Sequence, residues 1–114
     1  MRYMCLGHGN QQSESFAPTP EAIEEMGKHV EQAMKEGWLI ATEGLLPTRH
    51  AVNVKVEAGK QTVTDGPFTE AKELIASYAI INVASKEEAI ERCVAFLNLI
   101  GGGETDLYQL YDEG

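Results

Sequence analysis

Few side chains in this 114-residue chain have both the chemistry and the setting to act on a substrate. Two carboxylates sit at turns. Asp65 opens the run Asp65-Gly66-Pro67-Phe68, which is dense in backbone constraint. Gly66 can take positive φ at no steric cost. Pro67 fixes its own φ, removes a donor and pushes Gly66 away from the right-handed helical region. The chain therefore turns sharply and carries Asp65 at the lip. Glu43 is the second carboxylate, in Glu43-Gly44-Leu45-Leu46-Pro47. Acids held on such corners can give or take protons. They can equally be plain turn residues, since Asp often hydrogen-bonds the backbone just beyond it.

The three histidines differ in setting. His29 falls at the edge of a helical apolar stripe, four residues after Glu25, with which it can pair. His8 lies in Gly7-His8-Gly9-Asn10 and reads as a loop residue, and His50 stands beside Arg49 just before an alternating segment. No two histidines have a helical metal-ligand spacing, so spacing lends no support to a metal site. Cys5 and Cys93 are far apart, with no CxxC, each in an apolar periodic segment. They read as small, buried, reduced thiols. Gly101-Gly102-Gly103 follows a helix, whereas a phosphate cradle precedes one, so it reads as a stop. Without a GxSxG or a base beside either Cys, nucleophilic catalysis has no positive sign. No cofactor is expected.

The elements that must position these groups follow from pattern. Arg2 to Gly7 reads as a first strand, followed by a polar loop over Gln11 to Pro18. Thr19-Pro20-Glu21 is a helix start, with a capping hydroxyl, a proline that loses nothing there, and an acid that complements the dipole. Ile23, Met26, Val30, Ala33 and Met34 then share one face, and Gly37 is the left-handed stop. Trp38 to Ala41 is a second strand. Ala51 to Glu57 alternates, with Val52, Val54 and Val56 expected inward, and Gln61 to Thr64 returns as its hairpin partner. Thr69 to Leu74 has the composition of a short helical turn. Tyr78 to Val83, apolar on both faces, reads as an interior strand. Ser85-Lys86-Glu87-Glu88 is a capping box that opens a helix with the stripe Ala89, Ile90, Cys93, Phe96, Leu97 and Ile100. Thr105 to Tyr111 is the last strand.

Length and composition bound the answer. One domain over 1–114 is the natural count. Hydrophobic residues at 43% and charged residues at 24% are ordinary for a globular protein. No apolar run approaches a membrane span. The N-terminal apolar stretch is too short for a secretory signal, so the expected location is cytoplasmic. Nine basic against 18 acidic residues give a formal charge of −9, which repels phosphate backbones and anionic membranes alike. The order of elements is α+β, with two helices covering one face of a mostly antiparallel sheet, as in the split βαβ arrangement. A chain this short has no third layer to cover the other face. A homodimer with sheets packed face to face is expected.

The sequence also resembles the YCII-related family, in the branch named for its Asp-Gly-Pro-Phe (DGPF) motif. Met1-Arg2-Tyr3-Met4 is similar to that family's opening strand, and Glu43-Gly44-Leu45 before Pro47 to its Glu-Gly-Leu segment. Val63 to Glu73 is a long and specific match. Members often have Gly-Gly-Tyr where this chain has Ala76-Ser77-Tyr78. The resemblance implies a ferredoxin-like α+β fold that dimerises as an α+β barrel. It further implies a catalytic pair of a first-helix His and an Asp near the sheet, in a cleft close to the dimer interface. The matching positions are His29 and Asp65. Glu43, Gly66, Pro67 and Phe68 are then the expected substrate-binding positions. The first functional reading is a small-molecule enzyme using that acid–base pair, since an Asp beside an imidazole fixes its tautomer. The other is a non-catalytic ligand-binding or protein-interaction module, for example one acting with a sigma factor, because the branch's bacterial members are often encoded beside extracytoplasmic-function sigma factors.

Overall fold

Alternating and apolar segments become strands, and two capped amphipathic segments become helices. The computed structural model describes residues 1–9, 20–46, 48–66 and 74–111. In order these form β1 (Arg2–Gly9), α1 (Pro20–Glu36), β2 (Leu39–Gly44), a single 3-10 turn (Thr48–His50), β3 (Val52–Glu57), β4 (Lys60–Asp65), β5 (Leu74–Asn82), α2 (Lys86–Leu99) and β6 (Thr105–Gln109). The loop expected over Gln11 to Pro18, the motif residues Pro67 and Phe68, and residues 69–73 of the expected helical turn lie outside the described residues. Leu74, the last residue of that turn, instead begins β5.

β2, β5, β1 and β6 make a four-stranded sheet in that order, with every neighbouring pair antiparallel. β1 and β2 run parallel with β5 between them, and β5 and β6 run parallel with β1 between them. Each half is thus a strand–helix–strand unit split by a strand of the other. Setting aside the β3–β4 hairpin, the chain is the interleaved βαββαβ of a ferredoxin-like α+β fold.

The helices lie on the sheet face that carries Tyr3, Cys5, Leu39 and Ile81, with Ala79 and Leu107 packed beside them. The most buried helical residues are the smallest, Ala33 at 1% exposed on α1 and Ala89 at 0% on α2. An alanine at the point of closest approach lets a helix backbone sit low on the strands. α1 begins on Pro20 and ends at Gly37, whose φ of 86° is the left-handed stop and whose N–H returns to the carbonyls of Ala33 and Met34. Its stripe is only partly covered, since Ile23 and Met34 remain exposed. α2 starts on the capping box: Ser85 Oγ accepts the Glu88 N–H at 3.1 Å. The Glu88 carboxylate reaches back to the N–H of Ala84 at 2.8 Å, one residue earlier than the usual box. Ile90 and Ile100, expected in its stripe, are exposed.

β3 and β4 form a separate two-stranded sheet closed by the two-residue turn Ala58-Gly59, both with positive φ. That is the geometry of the turns that match strand twist. The alternation is as the sequence indicates, but Val52, Val54 and Val56 do not point into a core. All three are more than half exposed, as is Val63 opposite Val54. The pattern predicts which residues share a face, and among the described residues these valines stay exposed. The Cα radius of gyration is 16.2 Å, against about 13 Å for a compact chain of this length.

Candidate functional site

Strand register places the side chains that point away from the helices. One row across the sheet is Ala41, Ile80, Met4 and Tyr108. The next is Glu43, Tyr78, Leu6 and Asp106. One pleat further along β1 stands His8. This open face is therefore apolar through its middle and carries its ionisable groups toward one end and at its edge strands.

His8 is the centre of that end. The register of β1 against β5 shifts between Gly7 and His8. On its other side the ladder to β6 continues, with the His8 N–H donating to the Glu104 carbonyl at 2.9 Å. His8 thus lies diagonally beside Asp106, and its Nε2 is 2.8 Å from Asp106 Oδ2. Its Nδ1 is turned to Glu104 Oε2 at 3.5 Å. The His8 side chain is 15% exposed, Asp106 41% and Glu104 71%, so a mostly covered imidazole is held between two solvent-reaching acids.

This geometry puts a proton on Nε2. An ionised carboxylate can only accept, so Nε2 carries the proton that goes to Asp106. The other ring nitrogen, Nδ1, faces Glu104. An oriented imidazole next to an acid is the minimum equipment for moving a proton to or from a bound molecule. The same three side chains offer one ligand atom each within 4.8 Å of one another. That donor set also suits a divalent cation.

The sequence-predicted residues are dispersed. His29 lies in the helix layer, half-buried, with its ring 6.2 Å from that of Trp38 and 6.0 Å from that of Phe96. It makes no ion pair with Glu25. Asp65 ends β4, where it lies opposite Val52 and so shares the valine face of the hairpin. No hydrogen bond or ion pair joins His29 to Asp65 in the chain. Gly66 closes the base of the hairpin, its N–H donating to the Ala51 carbonyl at 2.8 Å. Glu43 is on β2 rather than in a turn. It shares Asp106's row on the open face, three strand spacings or roughly 14 Å away.

His8 is the residue that sequence reasoning places differently. Flanking glycines make it look like a loop, yet β1 runs on through Gly9. Its partner Asp106 is 98 residues distant, so no local spacing announces the pair. The available signal was the period of two along β1, which sets His8 on the same face as Met4 and Leu6.

Residues 1–95 match the YCII-related domain. The chain belongs to the YCII-related family. An uncharacterized protein of Rhizobium meliloti (strain 1021) is 40% identical over 47 residues, which are 41% of this chain and 38% of that relative. The chain therefore covers well under half of that relative's length. Among the described residues of this YCII-related chain, no helix is long and apolar enough to cross a membrane.

Proposed function

We propose that this YCII-related protein is a cytoplasmic small-molecule enzyme whose proton-transfer pair is His8 and Asp106, working on the open face of the sheet in a homodimer. The observation that carries the reading is the 2.8 Å contact between His8 Nε2 and Asp106 Oδ2 on a covered imidazole. Tyr78 and Glu43, which share Asp106's row, are proposed to orient a substrate lying across the strands. The homodimer is supported by two unpartnered apolar surfaces. One is the open sheet face at its edge strand β6, where Tyr108 is 58% exposed, and the other is the valine face of the hairpin, both judged among the described residues. The chain's own core is also slight, since among the described residues no large side chain is fully buried. The Asp65-Gly66-Pro67-Phe68 motif supports the DGPF branch.

A second reading keeps the pair that the family likeness implies. Asp65 shares the hairpin face of Val52, Val54, Val56 and Val63 with Gln61, and such a face covered by a second copy could carry Asp65 to the partner's helix layer and its His29. A third is the binding module, for example one serving a sigma factor, which requires no proton transfer. One set of variants separates them. Wild type, His8→Asn and His29→Asn are screened for turnover against a panel of esters, lactones and enolisable carbonyl compounds. Loss of an acid–base group costs about 10²–10⁴-fold in rate. A loss of that size in His8→Asn alone is expected. The same loss confined to His29→Asn transfers the role to the His29–Asp65 pair. Turnover by none of the three, with panel compounds still shifting the melting temperature, favours the binding module.

A further inference from the structure

Cys5 and Cys93, 88 residues apart in sequence, bring their sulfurs to 3.7 Å. Cys5 is on the central strand β1, between Ala79 and Leu107. Cys93 is on α2, one turn beyond Ala89, the residue at which that helix sits lowest on the sheet. Both thiols are free. They lie on the helix-bearing face, whereas His8 and Asp106 lie on the open one, so the chemistry of the two sulfurs is independent of the His8 site.

We propose that Cys5 and Cys93 are a thiol pair that a peroxide converts to an intramolecular disulfide, tying α2 to the middle of the sheet. A disulfide needs its sulfurs about 2 Å apart. The observed separation of 3.7 Å must therefore close by less than two ångströms. The order of events follows from exposure. Cys5 is buried and Cys93 only partly so, which makes Cys93 the sulfur that meets the oxidant. The hydrogen bond between the two sulfurs lowers the Cys93 thiol below the ordinary thiol value, and that same bond together with burial raises Cys5. The Cys93 thiolate attacks one peroxide oxygen, the O–O bond breaks, and hydroxide leaves, giving Cys93 sulfenic acid. Cys5 sulfur then attacks Cys93 Sγ. The S–O bond breaks, the Cys5 proton and the hydroxyl leave as water, and the S–S bond forms. In sum two thiols and one hydrogen peroxide give one disulfide and two waters, the thiols being oxidised and the peroxide reduced.

The test is treatment of the reduced protein with stoichiometric hydrogen peroxide, followed by alkylation and intact mass under non-reducing conditions. The expected product has lost two hydrogens, takes up no alkylating reagent, remains uncrosslinked between chains, and reverts with dithiothreitol. Because the new loop is long, its Tm should rise by roughly 10 °C. Cys5→Ala should stop at Cys93 sulfenic acid, trapped by a dimedone probe. Three results would overturn the proposal: both thiols still alkylatable after treatment, Cys93 over-oxidised beside a free Cys5, or a disulfide between chains. All three are read on the wild-type protein, so a poorly folding variant does not blunt the test.

Discussion

Removing the Asp106 carboxylate should loosen His8 by an amount that the geometry bounds. A neutral-to-charged hydrogen bond is worth about 1.5–3 kcal/mol when well enclosed, and an exposed ion pair about 0.2–1 kcal/mol. The His8–Asp106 contact lies between these limits, with one partner 15% exposed and the other 41%. The expected pairwise coupling is therefore about 1 kcal/mol. It should be read from a double-mutant cycle of Asp106→Ala, His8→Ala and the double variant, since either single change also leaves a partner unsatisfied. Glu104 could move from Nδ1 to take Asp106's place, so the cycle is repeated in Glu104→Gln. The coupling should persist there. A parallel cycle between His8 and the 71% exposed Glu104 should give less than about 0.5 kcal/mol. Urea unfolding followed by fluorescence of Trp38, the sole tryptophan, is the assay. That ring lies 4.3 Å beneath the Arg92 guanidinium in the helix layer, far from the substitutions, so its signal reports global unfolding. Coupling indistinguishable from zero, with unchanged denaturant slopes, would refute the argument that Asp106 holds the imidazole.

Other consequences are equally open to measurement. Ala58 sits at φ 50°, a conformation that suits Asn or Gly better, so Ala58→Asn should stabilise the hairpin by about 0.5–1 kcal/mol, read as slower amide exchange across β3 and β4. A Cβ on Gly7 would collide with Ser77 Oγ, so Gly7→Ala should cost about 1 kcal/mol in urea unfolding, most of it recovered by adding Ser77→Gly. The thiol pair should also shape the pH dependence of stability under reducing conditions. Between the lowered Cys93 value and the ordinary thiol value of 9.0, the folded pair holds one proton and the unfolded chain two, so stability rises with pH. Above 9.0 the folded pair keeps the Cys5 proton that the unfolded chain has lost, so stability falls. Subtracting the profile of a variant lacking both thiols should leave that peak, and a flat difference would contradict it.

What could be read from the sequence was whatever local chemistry decides. The Ser85–Glu88 cap, the Pro20 start and Gly37 stop of α1, and the pairing of Val52–Glu57 with its return strand each depend on residues a few positions apart. The α+β arrangement of two helices on one face of a mostly antiparallel sheet was readable too, from the order of strands and helices. Three things were not. His8 needs Asp106 from the far end of the chain, and only the β1–β6 register makes them neighbours. Cys5 and Cys93 meet because α2 settles on Ala89, a packing outcome with no signature at either cysteine. The valines of β3 alternate as core residues do, yet periodicity cannot say whether the covering layer belongs to the same chain.

The placement of the hairpin has an evolutionary corollary. β2 and β5 are neighbours in the sheet, paired from Leu39 with Ile81 to Gly44 with Ser77, and the Leu45 N–H still reaches the Ala76 carbonyl. Everything between these two strands therefore leaves and returns at one spot, and could be shortened, lengthened or exchanged without re-registering a single strand of the body. Such a position lets a lineage alter the projecting arm while the ancestral scaffold stays under its own constraints. A chimera carrying another member's arm between Leu46 and Leu74 should keep the body's fold.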